Sequence, residues 1–91
     1  MEITGKIIEV LAPRTGTSMK TGAHWMSQEY VIETDEQYPR RLCFSVLGED
    51  KIREMNLQMG RSYTVSLDFS ARKTNDKWYN QIKGWKAVEK A

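Results

Sequence analysis

Apolar and polar positions alternate along most of the chain, and the rhythm changes period once. "EITGKIIEVL" (Glu2 to Leu11) is rich in β-branched residues and roughly alternating, which predicts a first strand. "HWMSQEYVIET" (His24 to Thr34) predicts a second, with Met26, Tyr30 and Ile32 on one side and Trp25 and Val31 on the other. "RRLCFSVL" (Arg40 to Leu47) predicts a third. Between the first two, "APRTGTSMKTG" reads as a long loop by its Gly, Thr, Ser and Pro content, and "DEQYP" as a short connection closed by Pro39. In "GEDKIREMNLQMG" the apolar Ile52, Met55 and Met59 recur at three and four residues. That spacing predicts one short helix, started by Gly48 or Asp50 and ended by Gly60. "RSYTVSLDFSA" then alternates again, with Tyr63, Val65, Leu67 and Phe69 on one face, and predicts a fourth strand. "KTND" supplies a turn, and "KWYNQIKGWKAV" predicts a fifth strand interrupted by Gly84, where a bulge would change the face taken by the later side chains.

The predicted order is β-β-β-α-β-β in a chain of 91 residues. Its length allows one domain, spanning residues 1–91, and not two. All-β with one short helix before the fourth strand is the element order of the OB-fold, a five-stranded Greek-key barrel. An SH3-like barrel also has five strands, but its helical turn precedes the last. Such a barrel needs large residues inside, so Tyr30, Phe44, Tyr63, Phe69 and one of Trp78 and Tyr79 are expected in the core. Cys43, in mid-strand, is expected there too, as a small core residue.

Composition adds little until it is divided along the chain. The totals, 40% hydrophobic and 29% charged, are those of a folded domain, and the net charge is +2. From Ser70 to Ala91, however, six cations face two acids, so this end carries +4 and Met1 to Phe69 carries −2. The acids gather at Glu29, Glu33, Asp35 and Glu36. "MEITGKIIEV" carries an acid at position 2 and alternating polar residues where a signal peptide needs a basic start and an apolar run, and no stretch approaches transmembrane length. With a single cysteine, a cytoplasmic protein without disulfides is expected.

Most of the chain resembles a known family. From Gly22 onward, through "RRLCFSVLG", "NLQMG" and "GRSYTVSLDFSARKTNDKWYNQIKGWKAV", the chain is similar to bacterial single-stranded DNA-binding proteins. With "MEITGKIIEVL" and "GTS" included, nearly all of it resembles a small bacterial family of such OB proteins to which no function has been assigned. The resemblance implies a strand-binding surface on the first three strands and on the loops joining strands one to two and four to five. It ends just after the fifth strand, so the acidic-tipped tail that recruits partners in the bacterial family is expected to be missing.

Binding of that kind needs cations that follow the phosphates and aromatic faces on which bases stack. Arg14 and Lys20 lie in the first loop, Trp25 at the start of strand two, Arg40 and Arg41 at the start of strand three, and Arg72, Lys73 and Lys77 about the last turn. If Ile82 is core, alternation sends Trp78 inward with it and leaves Tyr79 and Lys83 outside. Trp85 shares their face unless Gly84 makes a bulge. The expectation is a non-enzymatic protein that binds single-stranded DNA, or RNA, as a homo-oligomer and without a cofactor. The alternative is a protein-interaction or oligomerisation module that binds no nucleic acid.

Signs of catalysis are poor. "GTSMKTG" places Met19 where a phosphate loop needs glycine, and no helix follows it. His24 is the only histidine and has no nucleophile at a diagnostic spacing; it is expected to be an exposed strand-end residue. With one cysteine and one histidine, no metal site is expected.

Overall fold

The computed structural model describes residues 1–90 as six strands and one helix: β1 (Glu2–Val10), β2 (Arg14–Thr17), β3 (His24–Thr34), β4 (Arg41–Leu47), α1 (Glu49–Met55), β5 (Ser62–Thr74) and β6 (Lys77–Glu89). The strands follow the order β1-β5-β6-β4-β3-β2, and β1 also pairs with β3, so five of them close a barrel-like ring. All pairings are antiparallel except β4 with β6, which meet in parallel at Ser45 and Lys83.

The sixth strand is a correction to the expected five. Arg14–Thr17 was expected to be loop, yet it pairs with β3 from Arg14 opposite Ser27 to Thr17 opposite His24. Its threonines suit an extended strand, and the turn chemistry lies beyond it, where Gly22 has φ 71° and its N–H bonds to the Ser18 carbonyl. One edge of β3 is therefore shared: His24 to Ser27 pair with β2, Tyr30 to Thr34 with β1.

The core is Ile7, Tyr30, Ile32, Phe44, Val46, Leu57, Tyr63, Val65 and Leu67. Tyr30 and Phe44 stack across β3 and β4 with ring centroids 5.6 Å apart. The buried Tyr30 hydroxyl donates to Gln28 Oε1 at 2.9 Å, and burial raises its pKa. Gln28 in turn donates to the Leu11 carbonyl at 2.8 Å. The second strand's faces, and the core places of Tyr30, Phe44 and Tyr63, are as the alternation predicted.

The helix stops earlier than its spacing predicted. Asn56 takes the left-handed conformation, φ 45°, and its N–H bonds to the Ile52 carbonyl, which ends α1 before Gly60. Leu57 then enters the core, the Gln58 N–H donates to the Tyr63 hydroxyl at 2.9 Å, and Met59 is left exposed. Ile52 and Met55 pack on the core as expected, without being fully buried.

The last two strands run well past the ring. The radius of gyration is 14.1 Å, against about 12 Å for a compact chain of this length, because the outer end of the β5–β6 hairpin projects as an arm. β1 follows β5 only as far as Ser66, and β4 pairs with β6 only at Lys83, so the pairs from Phe69–Ile82 to Thr74–Lys77 extend beyond both neighbours. Asn75 and Asp76, with φ 50° and 65°, make the two-residue turn at the tip, as "TND" predicted.

The arm corrects two core expectations. Phe69 and Trp78 lie on the same face as Leu67, the phase that alternation gave, but no core lies beneath them; they are 52% and 68% exposed. Cys43 is a third correction: it stands on the outer face of β4, opposite Val31. The expected bulge is present. Ser66 pairs with Lys86 and Leu67 with Gly84, leaving Trp85 as the extra residue. Gly84 is buried against Phe44, whose ring would stand 2.9 Å from an added Cβ.

Candidate nucleic-acid interface

Register determines which side chains share a face. Opposite pairs point the same way, so the outer face of β3 and β4 carries Trp25, Ser27, Glu29, Val31 and Glu33 beside Leu47, Ser45, Cys43 and Arg41. Gly16 and Arg14 extend this face onto β2. Through the Ser45–Lys83 pair it continues onto β6 as Lys83, Gln81, Tyr79 and Lys77, and onto β5 as the exposed Asp68, Ser70, Arg72 and Thr74. Where the arm meets β3 and β4, a groove of about 620 Å³ lies between Ser27, Glu29, Cys43 and Ser45 on one side and Arg72, Tyr79, Gln81 and Lys83 on the other. A second hollow of about 540 Å³, lined by Gly16, His24 and Trp25, adjoins it through Leu47.

The aromatic residues on this face are half free. Tyr79 is 53% exposed on the arm. Trp25 is 48% exposed and lies against the backbone of Gly16: an added Cβ there would fall 2.5 to 2.7 Å from three indole atoms. One part of the ring is thus seated on a flat glycine surface while the rest stays open. Leu47, exposed and common to both hollows, was not among the expected site residues. An exposed leucine at a strand end has no signature in the sequence; only its position between Trp25 and Tyr79 singles it out.

The charges separate into two sets. Arg14 pairs with Glu29 at 3.6 Å, Arg41 with Glu33 at 3.2 Å, and Arg40 with Glu36 through two contacts at 3.2 and 3.3 Å. The hydrogen bonds from Arg40 and then Thr34 hold the Glu36 carboxyl below the usual carboxylate range. These three arginines, expected as phosphate contacts, are engaged by local acids. Arg72, Lys73, Lys77 and Lys83 form no ion pair within 4 Å among the described residues. The arm is therefore a basic wall and β3 a more acidic floor. Partial burial, then the Glu29 carboxylate beside it, raises the pKa of the Cys43 thiol, so it remains protonated at neutral pH.

Two expected residues lie elsewhere. Lys73, opposite Trp78, is on the other face of the arm from Arg72 and Tyr79. Trp85, displaced by its bulge, stands beside the helix in a cleft with Lys51, Glu54 and Met55. Lys20 is exposed in the turn between β2 and β3, and His24 is exposed with its Nδ1 3.2 Å from the Thr17 hydroxyl. No helix among the described residues is long and apolar enough to cross a membrane.

The chain belongs to the family described as Domain of unknown function (DUF3127), which matches residues 2–88. No curated protein matches it.

Proposed function

We propose that this chain is an OB-type barrel that binds single-stranded nucleic acid, DNA in the first place, through the groove between the arm and the β3–β4 face. The ring β1-β3-β4-β6-β5, with its parallel β4–β6 contact and its helix between β4 and β5, supports the fold assignment. In OB folds the second and third barrel strands, here β3 and β4, and the flanking loops are the surface that takes oligonucleotides.

One observation carries the functional reading: Arg72, Lys77 and Lys83, none of them in an ion pair within 4 Å among the described residues, share a face with Tyr79, and Arg72, Tyr79 and Lys83 line the groove over the β3–β4 floor. Cations that follow phosphates and a ring that stacks on a base are the two requirements of sequence-tolerant binding. Trp25, seated on Gly16, offers a second stacking platform along the same face.

Titration with oligo-dT, followed by tryptophan fluorescence, is expected to quench Trp25. Three phosphate contacts on a single strand give a log–log salt slope of about −2. A fourfold rise in salt should therefore weaken binding about 15-fold. Absence of binding at low salt, or an affinity indifferent to salt, would refute the proposal.

A second reading has its own observation. The far face of the arm exposes Phe69 and Trp78, and both arm edges are unpaired, which favours association with another chain. In that reading the protein is an interaction module or a homo-oligomer. Light scattering of wild type and of a Phe69→Ser, Trp78→Ser double variant tests association through the arm. A multimer that dissociates in the variant supports association through the arm; a monomeric wild type removes it.

A further inference from the structure

The floor of the groove contains a group that phosphate binding alone does not explain. Glu29 is the one acid among the residues lining it, and its side chain is 34% exposed. A carboxylate repels phosphate, so a strand entering the groove must keep its backbone toward the arm. The register supplies the geometry: Glu29 pairs with Ser45, Ser45 with Lys83, and Lys83 with the exposed Asp68, forming one row across four strands. Glu29 and Lys83 in that row are two strand spacings apart, about 10 Å at the backbone. That is room for one nucleotide, with its phosphate at Lys83 and its base edge at Glu29.

Glu29 is held at longer range than the other paired glutamates. Glu33, Glu49 and Glu89 each accept a hydrogen bond from an arginine at 2.8 to 3.2 Å, and Glu36 accepts from Arg40 and from the Thr34 hydroxyl. The nearest donors to Glu29 are the Arg14 guanidinium and the Cys43 thiol, each at 3.6 Å and one to each oxygen. An ionised carboxylate has about four acceptor sites. Both contacts are long, which leaves acceptor sites on Glu29 for an N–H donor in the groove.

We propose that Glu29 reads the base edge, resting on the single-strand-binding function above, and that it favours guanine. Guanine presents two adjacent N–H donors, N1–H and N2–H, which match the two oxygens of a carboxylate. Cytosine and adenine offer one exocyclic amine each. Thymine offers N3–H between two carbonyl oxygens that the carboxylate repels. The order of preference is guanine, then cytosine and adenine, then thymine. The binding is sequence-tolerant along the strand but selective at the nucleotide over Glu29, while Tyr79 supplies the stacking surface beside it.

The test is equilibrium binding of fluorescein-labelled short oligo-dT and of the same oligonucleotide with one central dG, to wild type and to Glu29→Gln. The wild type is expected to bind the dG oligonucleotide at least about fivefold more tightly, the low end for a bidentate base contact. Glu29→Gln should lose that preference and bind oligo-dT more tightly than wild type, because a negative charge has left the groove. Equal wild-type affinities, or a preference for dG that persists in Glu29→Gln, would overturn the base-reading role while leaving strand binding intact. Failure of wild type to bind either oligonucleotide would overturn both.

Discussion

Gly5→Ala is expected to cost about 3 kcal/mol of folding stability, at the upper end for overpacking in an interior. Gly5 lies where β1 is paired on both edges, with Thr34 of β3 and Tyr63 of β5, and this double pairing closes the barrel. A Cβ at this position would fall on the carbonyl oxygen of Glu33 and stand 2.8 Å from its carbonyl carbon. The obstruction is backbone, which cannot rotate away, so relief requires β1 and β3 to separate. That would weaken their pairing and disturb Ile7 and Ile32, which face each other across it in the core.

With a urea m-value of about 1–1.5 kcal/mol/M, the unfolding midpoint should fall by about 2 M or more. Gly22→Ala is the comparison. Its added Cβ meets nothing, and only its φ of 71° opposes the change, at roughly 1–2 kcal/mol. If Gly5→Ala proves no more damaging than Gly22→Ala, the close approach of β1 and β3 is not what holds the ring shut.

The second large effect is on binding. Tyr79→Ala is expected to weaken oligo-dT binding by about 1–3 kcal/mol, roughly 5- to 150-fold, the measured range for loss of a base-stacking ring. The exposed Trp78 next to it is the more conspicuous aromatic, but it points from the opposite face of the arm. Trp78→Ala should change the affinity by no more than about twofold, the size of a surface substitution without a special role. Fluorescence anisotropy of a labelled oligonucleotide measures both variants without relying on their own tryptophans. A loss in Trp78→Ala that equals the loss in Tyr79→Ala would place the strand on the other face of the arm and refute the groove.

Arg72→Ala adds a check of charge, since losing one phosphate contact should reduce the salt slope by about 0.7. Arg41→Ala should leave the slope nearly unchanged, because Arg41 is already held by Glu33 at 3.2 Å. The proposed site is thus smaller than the eleven residues the sequence suggested. Arg72, Lys77, Tyr79, Lys83 and Trp25 share a face; Arg14, Arg40 and Arg41 are tied to acids; Lys73 and Trp85 face elsewhere; and Lys20 lies in the turn between β2 and β3. A pairing such as Arg41 with Glu33 depends on cross-strand register, which residue spacing within one strand does not contain.

What the sequence determined by itself is what short-range sterics control. Successive residues in an extended strand point to opposite sides, so the alternation in His24–Thr34 and Ser62–Leu67 was enough to place Tyr30, Ile32, Tyr63 and Val65 inward. The turn at Asn75 and Asp76 and the bulge beside Gly84 were legible for the same reason, because residues tolerant of unusual backbone geometry mark them. Only the tertiary structure decided where the interior ends. Phe69 and Trp78 keep the correct phase and are still exposed, because burial needs a neighbour and both neighbouring strands stop short of the arm. It also decided that the Arg14–Thr17 segment, read as loop, is a strand, since a four-residue strand is held by the partner it meets on β3 rather than by its own composition.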